Sequence, residues 1–106
     1  MEWARLVTAM TDSEAISSAE VEHNLSQQQF ELRVGGWLCL LQYRRRGGTM
    51  TVYHTEVPPP IQNRGLAARM TLAALDYARA EKLKVEPRCP YTAAFLRRHR
   101  EYADLL

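Results

Sequence analysis

Among the side chains suited to chemistry near neutral pH, Cys89, His54 and Glu56 stand where it could be used. Proline fits the first position of a helix, because its φ is already helical and the N–H it lacks would have no partner there. Pro90 therefore predicts a helix start, with Cys89 at or next to the N-cap. A thiolate in that place gains from the helix dipole and from the neighbouring Arg88. Cys89 is a candidate nucleophile, or a candidate acid for a departing thiolate. Packing as a small hydrophobe competes with both roles, and is the reading for Cys39 in its apolar run. His54 and Glu56 lie two apart in a β-rich stretch, so their side chains should leave one face of a strand together. Either could take a proton from an amine; a strand histidine beside a surface carboxylate is the plainer alternative. Three histidines and two cysteines show no metal-ligand spacing, so no metal is expected.

A second kind of chemistry is written in Gln62-Asn63-Arg64-Gly65-Leu66-Ala67, a polar loop that enters a helix directly after a strand. The first turn of a helix presents unpaired N–H groups and the positive end of its dipole, so successive amides there can hold a pyrophosphate. Arg64 adds charge. Arg44-Arg45-Arg46 beside Gly47-Gly48 reads as a basic hairpin tip, solvated or drawing in acidic substrates and phosphates. Nucleic acid is a weaker reading, since no stacking motif accompanies the arginines. Arg97, Arg98, His99 and Arg100 form a second basic cluster, of which His99 and Arg100 read as an exposed helix end whose charges complement the dipole.

The elements that must position these residues follow from periodicity. Val21, His23 and Leu25 alternate with polar residues, as do Phe30, Leu32 and Val34, which predicts half-buried strands. Gly35-Gly36 predicts a tight hairpin, Trp37 to Tyr43 a third strand, Gly47-Gly48 the next turn, and Thr49 to Val57 a fourth strand stopped by Pro58-Pro59-Pro60. Leu66, Met70, Ala73 and Tyr77 then recur at helical spacing. Lys84 to Arg88 is a short strand, which after a helix must pair in parallel through a right-handed crossover, and the helix at Pro90 follows. The expected architecture is β-β-β-β-α-β-α, an α/β fold with a mixed sheet of about five strands. Residues 1 to 20 read as a loose extension with a second possible start at Met10, and residues 21 to 106 as one domain.

The 106 residues carry a formal charge of +2 with 46% hydrophobic and 25% charged side chains, which excludes collagen-like, coiled-coil and disordered classes. Six acids and one arginine fall in residues 1 to 31; the other thirteen bases and six acids follow, so the working part is basic and favours anionic partners. No apolar run approaches a membrane span, and two unlike cysteines suit a reducing compartment. The expected setting is the cytoplasm, without membrane attachment; a monomer is compatible with all of this.

Taken together, His54-Thr55-Glu56-Val57-Pro58-Pro59, the loop Gln62 to Ala67, Leu83-Lys84-Val85, Cys89-Pro90-Tyr91, Leu96-Arg97-Arg98-His99 and the closing Glu101 to Leu106 resemble the GNAT superfamily of acetyl-coenzyme A-dependent N-acetyltransferases. More narrowly they resemble its reduced, cysteine-containing members. The resemblance runs from about Val21 to the end; Gln62, Gly65 and Ala67 satisfy the superfamily's pyrophosphate pattern. It implies acetyl-coenzyme A as cosubstrate, held by Val57, Gln62, Asn63, Arg64, Gly65, Leu66, Ala67, Cys89, Pro90 and Tyr91 where the parallel strands splay. It also implies that Cys89 faces the thioester, and that acetyl passes to an amine such as a protein lysine, a polyamine or a small amine. Asn63 and Lys82 stand where the group usually has glycine. The rival readings are a coenzyme A-binding module without turnover and a small basic interaction protein.

Overall fold

The computed structural model describes residues 11–106; Met10, the possible second start, lies outside the described residues. Four antiparallel strands come first: β1 (Val21–Asn24), β2 (Gln29–Val34), β3 (Trp37–Arg46) and β4 (Thr49–Glu56). The helix Leu66–Ala80 then leads to β5 (Lys84–Pro87), which returns parallel to β4. Strand order in the sheet is β1-β2-β3-β4-β5, the expected mixed sheet with one parallel pair. Among the described residues no helix is long and apolar enough to cross a membrane.

The expected loose extension departs from this plan, because Asp12–Ser18 forms a short helix, α1. Its start is signalled by Thr11 and Glu14: Thr11 Oγ1 accepts from the Glu14 amide at 3.1 Å and donates to Glu14 Oε1 at 3.0 Å. Ala15, Ile16 and Ala19 pack against the core, and the Leu66–Ala80 helix, α2, grips this segment through Arg69, which donates to the carbonyls of Ile16 and Ala19. With three small or medium apolar residues to bury, α1 has too little pattern to announce itself by periodicity.

The core lies between the sheet and α2. Leu66, Met70, Ala74, Leu75 and Ala78 meet Phe30, Leu32, Cys39, Leu41, Tyr43, Met50 and Val52, all buried. Each large aliphatic side chain so buried contributes about 1.5–3 kcal/mol, which explains why this face fixes both strand register and helix position. Arg45 corrects the picture of a freely solvated tip. Its guanidinium donates to Tyr77 Oη at 2.8 Å and pairs with Glu81 at 2.9 Å, tying the β3–β4 hairpin to the end of α2.

The end of α2 is closed by a Schellman motif, in which the Leu83 amide donates to Ala78 O at 2.8 Å and the Lys82 amide to Arg79 O at 3.2 Å. The motif needs a left-handed residue, and Lys82 supplies it at φ 56°. A side chain there costs about 1–2 kcal/mol in local sterics, part of which glycine returns as unfolded-state entropy. Lys82→Gly is therefore expected to stabilise the protein by about 1 kcal/mol, read as a higher midpoint in urea unfolding with an unchanged slope.

Candidate active site

A break in the alternation of β4 decides what the site contains. Met50 and Val52 point into the core, and strict period-2 alternation would send His54 and Glu56 to the same side. Instead Tyr43 pairs with Val52 and Gln42 with His54, leaving Tyr53 without a partner as a β-bulge. The bulge reverses the phase, so Thr55, opposite Leu41, comes to the core-facing side. Val57, just beyond the strand, lines the same cleft as Thr55. His54 and Glu56 do share a face, as expected, and sit 3.3 Å from each other. That face is the one turned away from α2, and neither residue lines the cleft.

The parallel pair joins Thr49–Val52 to Lys84–Pro87 and goes no further. Where it ends, Val52 O accepts from both the Arg88 amide at 3.0 Å and the Cys89 amide at 2.9 Å. From there the chain turns into α3 (Pro90–Arg98), with Cys89 as N-cap and Pro90 at the first helical turn, while β4 runs on alone. Strands and helix starts so diverge around a cleft of about 530 Å³, lined by Thr55, Val57, Gln62, Asn63, Gly65, Leu66, Ala67 and Tyr91.

The floor of the cleft is the start of α2. A short 3-10 turn over Pro59–Ile61 carries the chain off β4, and Gln62 Nε2 donates back to Val57 O at 2.9 Å. Asn63 at φ 62° and Gly65 at φ 78° are both left-handed, and together they turn the loop into the helix. Asparagine tolerates that conformation better than most residues, so its place in the loop is compatible with the expected shape. The first backbone bond of the turn runs from the Arg69 amide to Gly65 O. Among the described residues, the amides of Asn63 to Ala68 have no backbone acceptor. Apart from its chain neighbours, no protein atom lies within 4 Å of where a Cβ on Gly65 would stand, and Gly65 lines the cleft, so the backbone there is open to it.

Of the other residues singled out in the sequence, Arg64 turns from the cleft and donates to Ser13 Oγ of α1 at 3.1 Å. Pro90 shapes the start of α3 without lining the cleft. Cys89 is 5% exposed and stands beside it, with Sγ 3.5 Å from Thr55 Oγ1. Burial works against a thiolate at Cys89, yet the Thr55 hydroxyl and the backbone amides of Thr92 and Tyr91 outweigh it and hold the thiol below its usual range. Sγ makes no capping hydrogen bond as a thiol, so the amides act chiefly on the charged form. Arg88, expected to help, pairs instead with Glu86 at 3.3 Å. Cys39 is fully buried, and burial raises its thiol above the ordinary value. Thr55 is the residue that sequence reasoning missed. The trace it left is that Val57 falls out of phase with Met50 and Val52. Among the described residues, no group of three His, Cys, Asp or Glu side chains could hold a metal ion.

These features define a mixed α/β domain with an anion-receptive cleft where its parallel strands part. The chain belongs to the GCN5-related N-acetyltransferase family, whose model matches residues 29–105. Protein NATD1 of Xenopus tropicalis is 34% identical over 84 residues, covering 76% of this chain and 77% of its own. Protein NATD1 of Homo sapiens is 34% identical over 80 residues, covering 73% and 71%. The solution structure of a GCN5-like protein from Staphylococcus aureus superposes with a TM-score of 0.66 at 20% identity, covering 81% of this chain and 85% of that one. That likeness is one of fold.

Proposed function

We propose that this protein is an acetyl-coenzyme A-dependent N-acetyltransferase acting on an exposed amine. The observation that carries the reading is a cleft floored by the unpaired amides of α2, with the buried Cys89 thiol beside it against the lining residue Thr55. The residues present suit such a coenzyme. Amides at Asn63 to Ala68 would hold the pyrophosphate, the open space at Gly65 admits a phosphate against the backbone, and the unpaired edge of β4 past Val52 offers ladder groups to an extended amide chain. Val57, Gln62, Leu66 and Tyr91 would line the remainder.

When bound, the coenzyme supplies an acyl group already activated as a thioester. The protein's own part is to orient it, to keep water from it and to manage two protons. Cys89, its thiolate favoured by Thr55 and the α3 amides, is the group at the cleft that can exchange a proton or act as nucleophile. An amine arriving on the opposite face of β4 would meet the exposed pair His54 and Glu56, whose Nε2 and Oε1 lie 3.3 Å apart and would have to part for either to take its proton. The position of these two away from the cleft also favours a second reading, coenzyme binding without turnover. Intact-mass analysis separates the readings when the protein is incubated with acetyl-coenzyme A and a panel of amines. An acetylated amine supports transfer, a stable complex with unmodified amines supports the binding module, and no complex contradicts both.

A further inference from the structure

Thr92 is 1% exposed, and its Oγ1 has no hydrogen-bond partner among the described residues. Leaving a buried hydroxyl unpaired costs on the order of 1–3 kcal/mol, so such a group calls for a physical reason. Threonine within a helix ordinarily satisfies itself on the carbonyl one turn back, as Thr71 does on Ala67 O at 2.8 Å. Thr92 does not. One turn back on its own side of the helix stands Cys89, three residues earlier, buried and with the Thr55 hydroxyl at 3.5 Å.

We infer that Thr92 is a positioning residue whose hydroxyl is held in reserve for the sulfur of Cys89, forming with Thr55 a two-hydroxyl cradle that closes when the thiol ionises. The step is a deprotonation: the S–H bond breaks, its electron pair stays on sulfur and the proton passes to solvent. A neutral thiol is a weak acceptor, so the hydroxyl gains little from it beforehand. A hydrogen bond to the anion is charge-assisted and roughly twice as strong as a neutral one, which shifts the balance toward the thiolate. The inference rests on reading Cys89 as the reactive thiol of the cleft. It agrees with the direction of that thiol's titration, to which the Thr92 hydroxyl also contributes after burial, Thr55 and the two amides.

The surroundings leave this work to hydroxyls and amides. Glu86 and Arg88, just before Cys89, pair with each other at 3.3 Å, and His54 and Glu56 leave β4 by its other face and pair at 3.3 Å. Arg64, at the start of α2, is bonded to Ser13. Tyr91, on α3 itself, has its phenol raised by desolvation, against the nearby charge of Arg98.

The test is the pH dependence of Cys89 alkylation by iodoacetamide, followed by peptide mass in the full chain without coenzyme. Ultraviolet absorbance of the thiolate in a Cys39→Ala background serves as the second readout. Thr92→Val, which keeps the shape and removes the hydroxyl, should move the midpoint up by about one pH unit and slow labelling at neutral pH about tenfold. Its thermal stability should hold or rise, because an unpaired buried hydroxyl is gone. Thr92→Ser should restore the wild-type midpoint, and Thr55→Val should shift it in the same direction as Thr92→Val. If Thr92→Val does not fold, Thr92→Ala carries the same comparison with Thr92→Ser. A wild-type profile in the variant lacking the hydroxyl overturns the inference, as does an equal shift in Thr92→Ser. Because coenzyme is absent from the assay, failure to bind it would refute the functional reading and leave this result standing.

Discussion

Gly65→Val is expected to abolish coenzyme binding while leaving the fold in place. Gly65 sits at φ 78°, where a β-branched residue is strained, and the strain should lower stability by about 1–2 kcal/mol. Apart from its chain neighbours no protein atom lies within 4 Å of the added Cβ, so the Cβ itself displaces nothing inside the molecule. The space filled is the space beside the amides of the α2 start. A ligand present at a hundred times its dissociation constant stabilises the native state by about 2.7 kcal/mol, and in this variant that increment should fall to near zero. Gly65→Asn, which accepts the left-handed conformation more readily, should keep more of the fold's stability and still crowd the phosphate, so the two variants separate strain from occlusion. The measurement is the melting temperature with and without coenzyme A. An undiminished shift in Gly65→Val would put the phosphates elsewhere.

Cys89→Ala carries the other large effect. Under the proposed reading coenzyme affinity would come mainly from backbone groups around Gly65, so the variant should bind within a few-fold of wild type. Transfer to an amine should slow by about 10²–10⁴, the range for losing a positioned proton-transfer or nucleophilic group. The loss should be seen in kcat with KM for coenzyme little changed. Wild-type turnover in Cys89→Ala would make the cysteine a packing residue, and proton removal by His54 or Glu56 would then carry the chemistry.

From β1 onward the order of elements was legible in the periods of the strands and of α2, and because Gly35-Gly36, Gly47-Gly48 and the three prolines mark the boundaries without tertiary help. The helix start that floors the cleft was legible too, because its glycine announces a turn whose backbone amides lack partners. What alternation could not show is the bulge at Tyr53. One unpaired residue reverses which side chains face the cleft, exchanging His54 and Glu56 for Thr55, and its only trace is the phase of Val57. The partners of the Arg64 and Arg88 side chains were hidden for a different reason. Sequence proximity put their charges beside the ligand and the thiol, but long side chains go to whichever partner folding brings near, here Ser13 and Glu86. The helix Asp12–Ser18 was hidden by its length, although Thr11 and Glu14 form the capping pair that marks its start.

The central claim is that the amides at the start of α2, together with the start of α3, form the coenzyme site. It is tested most directly by a ¹⁵N-resolved amide titration of the full chain with coenzyme A. The account predicts saturable shifts confined to Asn63–Ala68, to Thr55–Val57 on the open edge of β4, and to Cys89–Thr92, with the hairpin tip at Arg44–Gly48 unmoved. Saturable shifts centred on Arg44–Gly48, or none at the α2 start at millimolar coenzyme, would contradict it.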